Sequence, residues 1–299
     1  MTFTAHKGPF QTWLLAIRPR TLPAAVSPVF VGTAAAVADG GFRFFPALAA
    51  LLGALLLQIG VNLANDYFDY VKGVDTADRL GPPRVTQSGL LSPGSVRVGL
   101  MVTVGLALVV GVYLMMVGGW PIVAVGLAAV LSVVGYSGGP YPLASHGLGD
   151  LFVFIFFGLV AVCGTYYVQI LRLTPLVVIV AIPEGLLITA ILVVNNLRDI
   201  HTDRLAGKNT LAVRLGSRGT RVEYVLLLLG AYSVPMALWS VGVRSGWVLL
   251  PLLSAPLALR MVHVVRRGEG RSLNEVLAQT AMMVLLFSVL LSLGLVLSA

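Results

Sequence analysis

Nine apolar runs, each long enough to cross the hydrocarbon core of a bilayer, dictate what this chain can fold into. They fall at roughly 21–38, 45–65, 98–117, 121–137, 149–168, 175–197, 222–242, 247–265 and 276–297, and about 17–25 apolar residues suffice for a spanning helix. Hydrocarbon offers no water to backbone N–H and C=O groups, so each run has to satisfy them internally, as a helix. The expected fold is an all-α integral membrane protein: one polytopic domain over residues 1–299, a bundle of about nine transmembrane helices. Composition excludes the soluble alternative. Hydrophobic residues make up 58% of the chain and charged residues 11%, where soluble domains carry about 25% charged residues.

The 20 Lys and Arg against 12 Asp and Glu give a net charge of +8. In a soluble chain that excess points to nucleic acid; in a membrane protein it reports topology, so no nucleic-acid partner is expected. Placing the N-terminus in the cytoplasm puts 17 of the 20 basic residues inside and leaves only Arg43, Arg172 and Arg244 outside, as the positive-inside rule requires. The small residues of Val31 to Ala38 invite a signal-peptide reading. Pro19, Pro23 and Pro28, and the polar stretch before them, favour a first membrane helix instead. The single cysteine, Cys163, sits inside an apolar run and is read as packing, with no disulfide framework and no thiolate metal site.

Half of the acids occupy two short stretches at the inner ends of the second and sixth runs: Asp66, Asp69, Asp75 and Asp78, then Asp199 and Asp203. Asn62, Asp66 and Asp69 follow i, i+4, i+7 spacing, and Asn195, Asp199 and Asp203 follow i, i+4, i+8, so each set forms one stripe on a helix. Both helices run from outside to inside, which brings the stripes to the cytoplasmic boundary at similar depth, placed to face each other across a cavity. Facing carboxylates flanked by amides are hard oxygen donors without histidine or thiolate, a set suited to Mg²⁺ or Mn²⁺ rather than zinc. Mg²⁺ keeps positions open for phosphate oxygens. Lys72, Arg84, Arg198 and Lys208 lie close in sequence to the acids, so a Mg²⁺-bridged diphosphate clamped by bases is the natural occupant. A solvated layer of paired loop charges is the plainer alternative, and the helical register of Asn with Asp at two distant places argues against it. Gly207-Lys208-Asn209-Thr210 lacks the spacing of a P-loop, and Asp66 to Asp78 lacks that of an EF-hand.

Asn65-Asp66-Tyr67-Phe68-Asp69 resembles the first aspartate-rich motif of the UbiA superfamily of membrane prenyltransferases, and Asp199 to Asp203 resembles the second. Arg18 to Pro23 and the segments 65–75, 81–89, 139–143, 147–150, 164–169 and 195–216 are similar to the branch that acts on 1,4-dihydroxy-2-naphthoate. The likeness spans residues 18 to 216. Two departures from wider superfamily patterns agree with that branch. The third acid of the first motif stands at Asp75 rather than at Gly73, and Ala144-Ser145-His146 replaces the basic pair often found in the 4-hydroxybenzoate branch.

The resemblance implies a central cavity open to the cytoplasmic side and to lipid, with Mg²⁺ and diphosphate at the cytoplasmic end. It implies transfer of a polyprenyl group from an allylic polyprenyl diphosphate to 1,4-dihydroxy-2-naphthoate, with loss of CO₂ and diphosphate, in menaquinone biosynthesis. On this reading Asp66, Asp69, Asp199 and Asp203 are the catalytic metal ligands, with Asn62, Asn65 and Asn195 as amide ligands or their supports. Lys72, Arg84, Arg198 and Lys208 bind diphosphate, and Arg18, Gln87, Tyr141, Tyr166 and Tyr167 are candidates for the acceptor pocket. His146 is read as a bystander. Glu184, an acid inside an apolar run, lies about 22 Å along a straight helix from Asp199, too far for the metal site. Other readings are a prenyltransferase with a different aromatic acceptor, such as homogentisate, and a secondary transporter, which would place its acids near mid-membrane. A nucleotide-alcohol phosphotransferase would show an Asp-Gly run followed by Ala-Arg, which this chain lacks.

Overall fold

A computed structural model describes residues 8–73, 80–136 and 142–299, and every regular element in them is helical. Asp75, Asp78 and Tyr141 lie outside the described residues, as do Lys7 and Arg79. Helices α1 (Pro9–Ile17) and α2 (Pro23–Ala38) meet at a corner where the chain bends by 51°. There follow α3 (Phe44–Val71), α4 (Pro93–Gly118), α5 (Trp120–Gly135), α6 (Gly149–Ile170), α7 (Pro175–Leu205), α8 (Leu211–Ser240), α9 (Gly246–Arg267) and α10 (Gly270–Leu297).

Local chemistry sets the helix starts. Proline occupies the first or second helical position of α1, α2, α4, α5 and α7, where its missing N–H has no partner to lose. Ser92, Thr174 and Thr210 accept hydrogen bonds from the backbone N–H groups of Ser95, Val177 and Val213, capping α4, α7 and α8.

Each of the nine apolar runs coincides with helix, but the expectation of nine spans changes on inspection. Among the described residues seven helices are long and apolar enough to cross a membrane, or eight if the bent α1–α2 pair crosses as one. The run at 121–137 falls short because Gly119, at φ 68°, breaks the chain from α4 and leaves a helix of 16 residues. Such a helix reaches about 24 Å, against a hydrocarbon core of about 30 Å.

The elements sort by burial. In α7, 72% of the apolar window is buried, against 11% in α4, so α7 is the central post and α4 a lipid-facing wall. α7 packs on α8 and α6, and α10 packs on α2 and α9. Where α6 crosses α7 the contact is backbone to backbone: a Cβ on Gly158 would lie 2.5 Å from the Cα of Gly185. Small residues permit such close approach, and dispersion between the helices then holds them. The C-terminal ends of α3 and α7 and the start of α10 meet at one end of the bundle, and there the charges collect. Cys163 is half-buried against the core, as expected of a packing residue.

Candidate active site

The two acidic stripes arrive together. Lys208, on the loop after α7, places its Nζ 3.8 Å from Asp69 Oδ1 on α3 and 4.0 Å from Asp203 Oδ1 on α7. Carboxylates separated by more than 130 residues therefore converge on one positive charge. Arg84 is buried and donates from Nη2 to Asp69 Oδ2 at 2.6 Å. Arg198, also buried, donates from Nε and Nη2 to the two oxygens of Asp199, at 2.8 and 2.5 Å. It further donates to Asn195 Oδ1 and to Asn274 Oδ1, each at 2.8 Å. Three carboxylates thus face three cations, each held by hydrogen bonds or by an opposite charge nearby, which is the condition for burying charge at tolerable cost.

This cluster tops a cavity of about 850 Å³. Asn65, Asp69, Arg84, Asn195, Arg198, Asp199, Asp203 and Lys208 line its polar end, with Arg18 at the α1–α2 corner. Below them the wall is apolar and is supplied by α2 to α7. A volume of this size accommodates a small-molecule ligand, and one with an anionic head and a long apolar body matches the division of the wall.

The loop after α3 folds back over the cluster and is held from three sides. Asp66, 1% exposed, accepts the backbone N–H groups of Val85 and Thr86 at 3.1 and 3.0 Å, one on each carboxylate oxygen. Asn274 donates to the carbonyl of Leu80 at 2.8 Å. Gly81 lies against the Arg198 guanidinium so closely that a Cβ there would stand 2.9 Å from Nη2.

The donor set fits a hard divalent cation: carboxylate and amide oxygens, with no sulfur or imidazole. Among the described residues no three acids, histidines or cysteines converge tightly enough to enclose a metal on their own. An ion there would complete its shell with ligand oxygens, as Mg²⁺ does on phosphates.

Residues 25–290 match the sequence pattern of the UbiA prenyltransferase family. The chain belongs to that family. It is 40% identical over 304 residues to the 1,4-dihydroxy-2-naphthoate octaprenyltransferase of Escherichia coli, covering 96% of each chain. It is 41% identical over 280 residues to the protein of the same name from Mycobacterium tuberculosis, covering 93% of this chain and 94% of that one. Its fold is similar to that of a UbiA homologue from Archaeoglobus fulgidus bound to GPP and Mg²⁺, with a TM-score of 0.66 at 15% identity over 95% of this chain and 99% of that one. UbiA membership and the apolar helices together make the chain an integral, multi-pass membrane protein.

Within this UbiA protein the expected site residues separate into groups. Asn65, Asp69, Arg84, Asn195, Arg198, Asp199, Asp203, Lys208 and Arg18 line the cavity. Asp66 does not: its oxygens are turned to the loop amides. Asn62 lines the cavity, but its amide nitrogen donates to the Ile17 carbonyl at 2.8 Å and to Thr21 Oγ1 at 3.0 Å, tying α3 to the corner that carries Arg18. Lys72 stands at the exposed C-terminal end of α3 and Gln87 lies on the folded-back loop, both outside the cavity wall.

Tyr166 and Tyr167, expected as acceptor contacts, are not on the cavity wall. Tyr166 is fully buried at the opposite end of the bundle, where its hydroxyl donates to Asp39 Oδ2 at 2.5 Å. Tyr167 packs there too, its ring 3.4 Å from where a Cβ on Gly118 would stand. Both sit near the C-terminus of α6, whereas the charged cluster is level with its N-terminus.

Glu184 is buried away from the cavity, its carboxylate accepting the Ser288 hydroxyl at 2.8 and 3.0 Å. The His146 ring nitrogen Nδ1 is 2.8 Å from the Pro142 carbonyl, and the residue is off the cavity wall. Sequence reasoning missed Asn274, which bonds both the loop and Arg198, and the aromatic side chains Tyr136, Phe152 and Phe156 of the wall. The one available signal for Asn274 was an amide at the inner edge of the last apolar run.

Proposed function

We propose that this protein transfers a polyprenyl group from an allylic polyprenyl diphosphate to 1,4-dihydroxy-2-naphthoate, the step that commits the ring to menaquinone. The observation that supports this reading most strongly is the convergence of Asp69, Asp203 and Lys208 at the head of an apolar cavity. The two relatives named above, both called 1,4-dihydroxy-2-naphthoate octaprenyltransferases, support the choice of acceptor.

Asp69, Asp199 and Asp203, with the amide oxygens of Asn65 and Asn195, would hold Mg²⁺. When bound there, Mg²⁺ offsets the negative charge that grows on the departing diphosphate. Arg84, Arg198 and Lys208 bind the diphosphate oxygens, exchanging their carboxylate partners for phosphate, with guanidinium groups suited to bidentate contact. Asp66 and Asn274 keep the loop and its Arg84 in place, and Arg18 holds the acceptor carboxylate. The allylic C–O bond breaks with its electron pair going to diphosphate, and a ring carbon of the acceptor forms the new C–C bond. The carboxylate leaves as CO₂ and returns its electron pair to the ring, so the overall exchange balances. The apolar wall excludes water that would otherwise capture the cation. The 17-to-3 charge split supports a cytoplasmic N-terminus and a site facing the cytoplasm.

The test is prenyl transfer by the purified protein in nanodiscs with 1,4-dihydroxy-2-naphthoate and geranylgeranyl diphosphate, with Mg²⁺ or EDTA. Mg²⁺-dependent prenylated product is the expected outcome. Product with homogentisate but none with the naphthoate would keep the prenyl-transfer reading and reassign the acceptor.

A further inference from the structure

Helix α5 stands apart from its neighbour in the cavity wall. It packs on α3 and α4, and among the described residues no comparable packing joins it to α6. The cavity fills the space between the two, with residues of both lining it. The ring contact of Tyr136 with Phe152, centroids 5.6 Å apart, closes this gap at the charged end. Neighbouring seams of the wall are shut by glycine. A Cβ on Gly32 of α2 would stand 2.5 Å from the Val162 carbonyl oxygen of α6, and α6 meets α7 at Gly158 and Gly185.

The exposed strip of α5 shows that the gap leads out of the bundle. Trp120, Ala124, Leu127 and Leu131 follow i, i+4, i+7, i+11 spacing, share one face, and are all exposed. Trp120 and Ala124 do not border the cavity, so this face looks outward. Leu127, 57% exposed, and Leu131, 72% exposed, belong to the outward face and also line the cavity. There the cavity reaches the lipid-facing surface. At the far end it stops at Ile122 and Val168, where Ile122 and Tyr167 pack on Gly118. The window lies below the carboxylates. A Cβ on Gly149 would lie 3.3 Å from the Tyr136 hydroxyl and 3.5 Å from Leu192, and Leu192 stands about two helical turns, roughly 10 Å, from Asp199. Leu131 and Leu127 follow roughly 7 and 13 Å beyond Tyr136 along α5. A diphosphate held at the carboxylates keeps the reacting carbon above the window and brings later prenyl units level with it.

We propose that the gap between α5 and α6 is the passage through which the polyprenyl tail leaves the cavity for the bilayer, past Leu127 and Leu131. This rests on the prenyl-transfer reading. The cavity of about 850 Å³ has to hold diphosphate, acceptor and tail together, whereas a pocket of about 300–1,000 Å³ suits one drug-sized ligand. Lipid chains are as apolar as leucine, so the prenyl units that leave exchange one apolar surrounding for another at little cost. The protein then selects the first few units, which stay inside, and sets no upper limit on the number that follow. A tail confined to the far end of the cavity would instead meet the floor at Ile122 and Val168, and transfer would stop at the length that fills it.

A groove that merely fills with lipid would show the same exposure, so the test has to read tail length. Prenyl transfer in nanodiscs is measured with geranyl, geranylgeranyl and octaprenyl diphosphates, Mg²⁺ and the acceptor. Wild type is expected to use the octaprenyl and geranylgeranyl donors with kcat/KM within about threefold of each other. Leu131→Cys in a Cys163→Ala background is then assayed before and after labelling with a bulky maleimide, which keeps the fold constant across the comparison. Labelling should lower the ratio of octaprenyl to geranyl transfer by about tenfold. The same label on Ala124→Cys, on the same strip but off the cavity, should leave that ratio unchanged. A ratio that does not move on labelling at position 131, or that moves equally at 124, overturns the passage alone, as does a wild-type rate that collapses between the geranylgeranyl and octaprenyl donors. Absence of prenylated product from wild type with every donor and every aromatic acceptor overturns the prenyl-transfer reading and the passage with it.

Discussion

The two ends of the bundle carry similar chemistry put to different uses. At the cavity end Asp69, Asp199 and Asp203 face Arg84, Arg198 and Lys208. At the far end Asp39 takes the Tyr166 hydroxyl at 2.5 Å and stands 3.6 Å from Arg244, while Gln169 accepts the backbone N–H of Arg43. Each end thus has an acid, an arginine and amides, partly or fully buried. The difference lies in what the groups border. The cavity-end charges line about 850 Å³ of space open to a ligand; Arg84 and Lys208 reach it from loops, and Arg198 from α7. Neither Asp39 nor Tyr166 borders that space, and their partners fasten the ends of α2, α6 and α8 to one another. A buried acid with a basic partner therefore does not mark a reactive site; an acid whose partner can be replaced by a ligand does.

The largest effect should follow from removing a cavity-end acid. Asp199→Ala is expected to lower the prenyl-transfer rate by about 10³-fold, because it removes an oxygen donor and leaves Arg198 buried beside one carboxylate fewer. Asp39→Asn at the far end should leave the rate within about twofold. A comparable loss in both, measured as prenylated product per minute in nanodiscs, would erase the distinction between the ends.

Within the cavity end the same logic separates Asp66 from Asp69. Asp69 borders the cavity, whereas the Asp66 oxygens are taken by loop amides. Asp66→Asn should cost about 10–100-fold in kcat, as expected for a residue that orients others, with the Mg²⁺ concentration for half-activation unchanged. Asp69→Asn should raise that concentration. A Mg²⁺ shift in Asp66→Asn would make it a ligand after all.

What the sequence could disclose follows from what each signal encodes. Spanning helices were legible because hydrocarbon demands long apolar runs, and the stripes because i, i+4, i+7 spacing fixes one helix face. The partnership of Lys208 with both stripes was legible only as nearness to the second. The aim of a side chain at a helix end depends on what folds over it. Asp66 and Asn62 share the Asp69 face, yet the returning loop takes Asp66 and the α1–α2 corner takes Asn62. Tyr166 lies in a segment that resembles the dihydroxynaphthoate branch, but its place along α6 puts it a bundle length from the acids. Phe152 and Phe156 read as ordinary apolar residues until the structure set them on the cavity wall.

A smaller effect would sharpen the picture of the loop. Asn274 donates to Leu80 and accepts from Arg198, bridging the loop and the cluster. A hydrogen bond to a charged group contributes about 1.5–3 kcal/mol, so Asn274→Ala should lower kcat/KM by about tenfold. The loss should appear mainly in KM for the prenyl diphosphate, since Arg198 is the group released. A loss confined to kcat would instead place Asn274 at the reacting atoms.

The smallest effect on activity belongs to the far end, and there stability is what should move. Tyr166→Phe removes the hydroxyl that Asp39 accepts and leaves the ring packed, so it deletes one hydrogen bond and opens no cavity. The expected cost is about 1–2 kcal/mol, a fall in Tm of about 2–4 °C for each kcal/mol in a chain somewhat smaller than this one. Prenyl transfer below the transition should match wild type, because neither partner of the lost bond borders the cavity. The comparison needs both readings from one preparation: thermal unfolding in detergent, and initial rates at 25 °C. A lower Tm with an unchanged rate makes the far end a fastening. A reduced rate with an unchanged Tm would carry the influence of Tyr166 along α6 to the cavity, and the two ends would have to be treated as one coupled unit.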